Sequence, residues 1–200
     1  LAHLAWRAGA DWVVPFDADE FWYAPGATLA GRLARLQGVD RVWAHLWNAY
    51  PLPEDGRLDL ASGRPVQVDR RPTAWMKIAF RARRWVWVGE GNHDLRNRGP
   101  RPRRAVDLLH FSSRSLEQYS RKARDGFAAL QRAGMDDSVG THWREWTTLT
   151  DDERAARWSA YVRGEIGDLA TPSAPAERVV VPDPMRWRTW DPEGLLDDGA

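Results

Sequence analysis

The spacing of apolar residues predicts a helix, a strand and a second helix in the first part of the chain. Leucine and alanine recur at helical spacing up to Gly9, and glycine commonly ends a helix. Residues 12–16 are almost wholly apolar, which is typical of a strand buried on both faces. Thr28 precedes a stripe of leucines that stops at Gly38 and is a favourable helix cap. We therefore expect an α/β layer with residues 12–16 as a central strand.

The middle of the chain predicts further strands. Residues 41–50 alternate between two faces, which indicates a strand. Residues 51–74 are rich in proline and glycine and predict loops with at most one short strand. Residues 77–82 and 84–88 have the pattern of two neighbouring strands, and residues 106–111 form another short apolar run.

Two helices follow, each with a capping signal. Ser115 with Gln118, and Thr150 with Glu153, have the spacing of a capping box, in which side chains at the helix start bond free backbone amides. Residues 170–200 are rich in proline and predict an extended tail, interrupted by a short apolar run. We therefore expect a domain over residues 1–169 and a tail over 170–200.

Composition narrows the class of protein and the kind of metal site. The 200 residues contain no apolar stretch near the roughly 20 residues of a membrane-spanning helix, so we expect a cytoplasmic domain with no transmembrane segment. The 29 basic and 28 acidic residues nearly balance, which argues against nucleic acid as the main partner. With Cys 0, a metal would be bound by carboxylates, imidazoles or carbonyls, a set that favours Mg²⁺ or Mn²⁺.

Two compositional features leave alternatives open. Five arginines fall in a stretch with glycine and proline, which is either a solvated loop or a contact for a phosphate-bearing substrate. These are Arg96, Arg98, Arg101, Arg103 and Arg104. The sequence also has 13 tryptophans. Most are expected in the core, and a few could stack on sugar rings.

An acidic turn follows the first apolar run. Asp17, Asp19 and Glu20 stand directly after residues 12–16, and ligands of open α/β sheets bind beyond the carboxyl ends of strands. Mg²⁺ and Mn²⁺ are typically bound by one or two carboxylates together with substrate phosphates. The turn is therefore a candidate metal site, with a solvated acidic turn as the alternative.

Three segments in order resemble one family. Residues 11–22, with the sequence Asp-Ala-Asp-Glu-Phe at their centre, resemble the DxDEF segment of family 2 glycosyltransferases with the GT-A fold. They are most similar to the bacterial subgroup that shares this box with the family 92 enzymes. Residues 91–93 (Gly-Asn-His) resemble its GNH box, and residues 108–111 with 114–119 resemble its HF box and the helix start after it. The resemblance covers roughly residues 1–133.

This resemblance implies a fold and an activity. The fold is a GT-A-like, Rossmann-like nucleotide-diphospho-sugar transferase with a mixed sheet flanked by helices. The first strands of that fold are missing here, and the helical pattern is already under way at Leu1. We therefore expect an amino-terminally truncated domain. The activity is transfer of a hexosyl or related sugar from a nucleoside-diphosphate donor to a hydroxyl of a carbohydrate or other acceptor.

The resemblance also implies roles for individual residues. Asp17 and Asp19 would hold the metal and the diphosphate, as a Lewis-acid site for the leaving group. A histidine on a later strand often completes the metal site in GT-A enzymes, and His110 matches that role by its place in the HF box. The alternative for His110 is a hydrogen-bonded core histidine. His93 is a weaker candidate ligand.

A base and a phosphate contact complete the expected site. Asp94 and Glu90 are the carboxylates nearest the Gly-Asn-His segment and are candidates for the general base that takes the acceptor proton. Either residue could instead cap the loop by bonding backbone amides. Lys77 could contact phosphate as a point charge, or could be an exposed strand residue.

Other functional classes compete with a transferase. A haloacid-dehalogenase-like phosphatase also has Asp-x-Asp after a buried strand, but that family expects Thr or Val where Phe21 stands. A calcium loop is excluded, because Trp22 occupies the position that requires glycine. The third class is non-catalytic: a carbohydrate-binding domain or an inactive truncated enzyme. Metal-dependent hydrolysis of a nucleotide sugar separates the transferase from these alternatives.

Overall fold

Short runs of strands and helices follow one another in a computed structural model of the chain, which describes residues 2–96, 103–136, 138–169 and 173–197. The helices are α1 (Ala2–Arg7), α2 (Leu29–Ala34), α3 (Leu116–Arg132), α4 (Thr141–Thr148) and α5 (Asp151–Val162). The strands are β1 (Trp12–Val13), β2 (Glu20–Tyr23), β3 (Arg41–Tyr50), β4 (Val66–Asp69), β5 (Met76–Arg81), β6 (Arg103–His110) and β7 (Arg178–Val181). The protein is thus mixed α/β, with a mostly antiparallel open sheet flanked by helices.

The chain forms two compact units. The first comprises Leu1–Asn48, Asp69–His110 and Arg186–Ala200, and the second comprises Ala49–Val68 and Phe111–Met185. Both units are discontinuous in sequence, so each depends on contacts between distant segments. All the candidate site residues of the acidic turn and of the strands around it belong to the first unit.

The strands of the first unit follow the order β1-β5-β3-β6-β2. β3 pairs with β6 in parallel, whereas β1 with β5, β5 with β3, and β2 with β6 are antiparallel. Strand β3 has the predicted bounds, and its residues Val42, Ala44 and Leu46 are buried. Its other face carries Trp47, which is also fully buried. The alternating pattern therefore identified β3 correctly.

The structure corrects the prediction of a central strand over residues 12–16. Only Trp12 and Val13 form a strand, and β1 lies at an edge of the sheet beside β5. Pro15 has no amide proton to donate to a neighbouring strand, and the Phe16 side chain is 67% exposed. An apolar run thus indicated a buried strand where the chain already turns away from the sheet.

One further strand prediction is wrong and one strand was not predicted. Residues 84–88 form no strand, although Val88 makes an isolated bridge with Leu95, and Trp85 and Trp87 are exposed. The unpredicted strand is β2, directly after the acidic turn, which pairs along its whole length with β6. The single short strand predicted within residues 51–74 is β4.

The helix caps agree with the sequence, except that the Gln118 side chain accepts from the amide of Arg114 rather than that of Ser115, so the capping box predicted there is half formed. The hydroxyls of Thr28, Ser115 and Thr150 accept hydrogen bonds from backbone amides at the starts of α2, α3 and α5, and Thr150 with Glu153 forms a complete capping box. Helix α4 was not predicted, since it starts after Gly140 without a side-chain cap. None of the helices among the described residues is long and apolar enough to cross a membrane.

The aromatic residues of each unit pack within that unit. In the second unit, the Trp146 ring meets Tyr119 edge-on at a centroid distance of 4.8 Å. In the first unit, the Trp190 ring lies 4.7 Å from the Trp47 ring, and Trp187 lies 5.8 Å from Tyr23. The predicted tail therefore contributes aromatic packing to the first unit. It also contributes β7 to the second.

Candidate functional site

The register of three strands gathers the acidic turn and His110. Glu20, the first residue of β2, is paired with His110, the last residue of β6. His110 is also paired with Asn48 near the end of the parallel strand β3. Carboxyl ends of parallel strands meet at one edge of a sheet. Asp19, which directly precedes Glu20, consequently lies beside the imidazole of His110.

The distance between the side chains of Asp19 and His110 indicates what could lie between them. The Nε2 atom of His110 lies 3.8 Å from the Oδ2 atom of Asp19. This exceeds the roughly 3.2 Å limit of a good N–H···O hydrogen bond. Octahedral ligands of Mg²⁺, at about 2.1 Å from the ion, lie about 3.0 Å apart when adjacent and about 4.2 Å apart when opposite. The two atoms would therefore need to approach by roughly 0.8 Å to become adjacent ligands of one ion. The donor types, carboxylate oxygen and imidazole nitrogen, also suit Mn²⁺.

These two side chains alone would not complete a coordination sphere. Within residues 2–96, 103–136, 138–169 and 173–197, three or more histidine, aspartate or glutamate side chains are nowhere grouped so that they could hold an ion by themselves. An ion at Asp19 and His110 would therefore need further ligands from water or from a substrate. Magnesium sites in nucleotide enzymes commonly have this composition.

Lys77 is the central cation of the acidic turn. Its Nζ atom lies 2.8 Å from Glu20 Oε1, donates to Asp17 Oδ2 at 3.0 Å and donates to the carbonyl of Gly91 at 2.7 Å. Strand β1 runs antiparallel to β5, so the turn that follows β1 lies at the amino end of β5, where Lys77 stands. Lys77 therefore makes two hydrogen bonds, whereas its approach to Glu20 Oε1 is an ionic contact without hydrogen-bond geometry.

Burial makes this ion pair different from a surface pair. The side chains of Lys77 and Glu20 are 6% and 1% exposed, whereas that of Asp17 is 54% exposed. Burial alone would lower the pKa of Lys77, but the close contacts and charges of Glu20 and Asp17 outweigh it and raise that pKa above its ordinary value. Burial raises the pKa of Glu20, against the opposing effect of Lys77. Lys77 therefore remains protonated at neutral pH.

The turn is further closed by its own backbone. The amide of Asp17 donates to Glu20 Oε2 at 3.1 Å, and the amide of Glu20 donates to the carbonyl of Asp17 at 3.1 Å. Glu20 is thus a structural member of the turn. Asp17 shares its carboxylate with Lys77, which leaves Asp19 as the carboxylate closest to His110.

The opposite side of His110 is fixed by two polar residues. Its Nδ1 atom lies 3.0 Å from Asn48 Oδ1. Both the backbone amide and the Nδ2 group of Asn48 donate to Asp69 Oδ2, at 3.3 Å and 3.2 Å. Asp69 is 2% exposed. Sequence reasoning missed both residues; the available signal was a polar side chain near the carboxyl end of a strand, which Asn48 provides.

The Gly-Asn-His segment forms a tight turn beside β5. Gly91 has φ +66°, and a Cβ atom there would lie 2.6 Å from the imidazole of His93. His93 Nδ1 donates to the carbonyl of Met76 at 2.6 Å, and the His93 ring lies 5.4 Å from that of Trp75. The structure therefore places His93 in this turn and ties it to the start of β5.

The two candidate bases have different surroundings. Asp94 Oδ1 accepts a hydrogen bond from Arg41 at 3.0 Å and from the amide of Leu95 at 2.7 Å, and its side chain is 69% exposed. This is the geometry of the loop-capping alternative, although the carboxylate is accessible. The Glu90 backbone lies in a 3₁₀ turn, Glu90–Asn92, but its side chain lies outside the described structure.

The arginine-rich segment is only partly a loop. Arg103 and Arg104 belong to β6, and Arg104 forms an ion pair with the buried Asp107 at 3.0 Å. The Arg104 guanidinium also lies 5.6 Å from the centre of the Trp47 ring. Residues 97–102, which include Arg98 and Arg101, lie outside the described residues. The phosphate contact predicted for these two arginines therefore stays a prediction.

No protein-family model, curated protein or solved structure matches this chain. Two features therefore bear on its function. One is the resemblance of the three sequence motifs. The other is the arrangement of Asp17, Asp19 and Lys77 at the turn, with His110 facing it from β6.

Proposed function

We propose that this chain is the metal- and diphosphate-binding part of a GT-A-like glycosyltransferase. It would move a sugar from a nucleoside-diphosphate donor to a hydroxyl of a carbohydrate or other acceptor. The observation that supports this most is the 3.8 Å approach of His110 Nε2 to Asp19 Oδ2, because the two residues come from separate motifs 91 positions apart (110 − 19).

The proposed direct metal ligands are Asp19 and His110. Asp17, the other ligand expected from the sequence, is paired with Lys77, so we assign it to holding the turn rather than the ion. Bound Mn²⁺ or Mg²⁺ would neutralise the charge that develops on the leaving diphosphate. Lys77 would hold the turn in shape, and a contact between Lys77 and phosphate would compete with its present contacts to Asp17, Glu20 and the Gly91 carbonyl.

The remaining chemistry belongs to the acceptor. Transfer breaks the bond between the anomeric carbon and the diphosphate oxygen and forms a bond from that carbon to the acceptor oxygen. In an inverting reaction a carboxylate takes the hydroxyl proton. Asp94 and Glu90 are the candidate bases, and the carboxylate of Asp94 is exposed while it accepts from Arg41 and the Leu95 amide.

Hydrolysis of nucleotide sugars tests this proposal, with water as the acceptor. UDP-glucose, GDP-mannose and dTDP-glucose are incubated with the protein and Mn²⁺, and nucleoside diphosphate release is measured. We expect release from at least one donor that EDTA abolishes and that Asp19→Ala reduces. Asp125→Ala, an exposed carboxylate on α3, is the matched control and should retain the activity.

The candidate bases are tested in the same assay. Replacing the true base by its amide should lower turnover by roughly 10²- to 10⁴-fold with little effect on donor binding. If Asp94→Asn and Glu90→Gln both keep near-normal turnover, neither residue is the base. Release of phosphate from a phosphomonoester labelled in its phosphoryl group, with transient labelling of Asp17, would instead identify a phosphatase that uses Asp17 as nucleophile. Absence of any release would leave a non-catalytic domain and reject the proposed activity for this chain.

A further inference from the structure

The imidazole of His110 has a defined partner on each side. Nε2 faces Asp19, and Nδ1 faces the side-chain amide of Asn48. Asn48 in turn contacts Asp69, one of the most deeply buried charged residues of the first unit. A buried polar chain of this kind costs free energy unless its donors and acceptors are matched.

The directions of the hydrogen bonds that link Asp69, Asn48 and His110 can be deduced. Asp69 Oδ2 accepts from the backbone amide of Asn48, which can only donate. The side-chain group of Asn48 that meets the same oxygen must be its NH₂, because two acceptor oxygens would repel each other. Asn48 therefore presents its carbonyl oxygen to His110. A carbonyl oxygen only accepts, so Nδ1 of His110 carries a proton.

We propose that Asn48 and Asp69 are positioning residues that hold neutral His110 in its Nδ1–H tautomer, with the Nε2 lone pair directed at the acidic turn. This inference rests on the proposed metal-dependent function, because it describes how His110 is prepared to bind an ion. Metal-binding histidines generally donate their other ring N–H to an acceptor, which fixes the tautomer and the ring orientation.

The opposite orientation of Asn48 would block the site. If the amide were reversed, its NH₂ would face Nδ1 of His110, and the proton of the neutral ring would move to Nε2. That proton would occupy the position where an ion must bind. Asp69 opposes this reversal, because only the present orientation of the Asn48 side chain supplies the hydrogen bond from Nδ2 to Asp69 Oδ2.

The tautomer is directly measurable in the protein without metal. Long-range proton–nitrogen correlation spectra distinguish Nδ1–H from Nε2–H histidines, and the His110 signals are identified by their loss in His110→Gln. The spectra are recorded over a pH series, and the tautomer is assigned on the high-pH plateau, where the ring signals no longer change. We expect His110 to be the Nδ1–H form in the natural protein. A predominant Nε2–H form in the natural protein would overturn the inference, whether or not the Asn48 and Asp69 variants fold.

Variants then test the two positioning residues. Asp69→Asn and Asn48→Leu should each populate the Nε2–H form and lower Mn²⁺ affinity by about 10- to 100-fold. Asp107→Asn, a buried aspartate of β6, is the control and should leave the His110 tautomer unchanged. An unchanged tautomer in both test variants would overturn the positioning role. If the natural protein binds no Mn²⁺, the proposed function fails, while the tautomer spectra still decide the inference.

Discussion

At the scale of single residues, the buried pair of Lys77 and Glu20 makes a sharp stability prediction. Removing one partner of a buried ion pair leaves an uncompensated charge, so Lys77→Met should lower the free energy of unfolding by about 3–5 kcal/mol. Arg71→Met, which breaks an exposed ion pair with Asp197, should cost at most about 1 kcal/mol. Urea denaturation of the two variants measures both values.

The double variant separates charge burial from packing. Lys77→Met with Glu20→Leu removes both buried charges, and such replacements are often neutral in stability. We expect the double variant to recover most of the loss seen in Lys77→Met. Glu20→Leu is also measured alone. If the loss in the double variant equals the sum of the losses in Lys77→Met and Glu20→Leu, the two residues do not interact as their 2.8 Å contact indicates.

At the scale of elements, two glycines offer a matched comparison. Gly26 and Gly91 have φ of +64° and +66°, but only Gly91 has a neighbour, the His93 ring, where a Cβ would lie. Gly26→Ala should cost about 1–2 kcal/mol from the left-handed backbone alone. Gly91→Ala should cost more, because its methyl group must also displace the imidazole. Equal losses in denaturation midpoints would mean that the His93 ring is not held in this turn.

The sequence predicts some elements well because their signals are local. The caps at Thr28, Ser115 and Thr150 are contacts between residues three apart, and the alternation of β3 reflects burial along a single strand. The predicted position of residues 12–16 in the sheet was wrong, because an apolar run reports burial but not the partner strand. Whether β1 lies at the edge or in the centre of the sheet is decided by its pairing with β5, which lies more than sixty residues away in the sequence.

At the scale of the whole molecule, the candidate site depends on long-range register. The motifs around Asp19 and His110 could be found in the sequence, because their residue types and order carry a resemblance. Asn48 and Asp69 could not be assigned a role from sequence. Each becomes part of the site only because parallel pairing sets Asn48 opposite His110 and because Asp69 returns to the end of β3. Lys77 was identified, but its burial between two carboxylates was not expected.

The most direct test of the central claim is a calorimetric titration of the chain with Mn²⁺, alone and with inorganic pyrophosphate as a minimal diphosphate. We predict one site that binds Mn²⁺ more tightly when pyrophosphate is present, because pyrophosphate supplies the further ligands that the ion needs. By linkage, Mn²⁺ should tighten pyrophosphate binding by the same factor. Asp19→Ala and His110→Ala should each weaken Mn²⁺ binding at least about tenfold, whereas Asp125→Ala should bind as the natural protein does. Unchanged Mn²⁺ affinity in Asp19→Ala, or no binding by the natural protein, would contradict a metal site at the acidic turn.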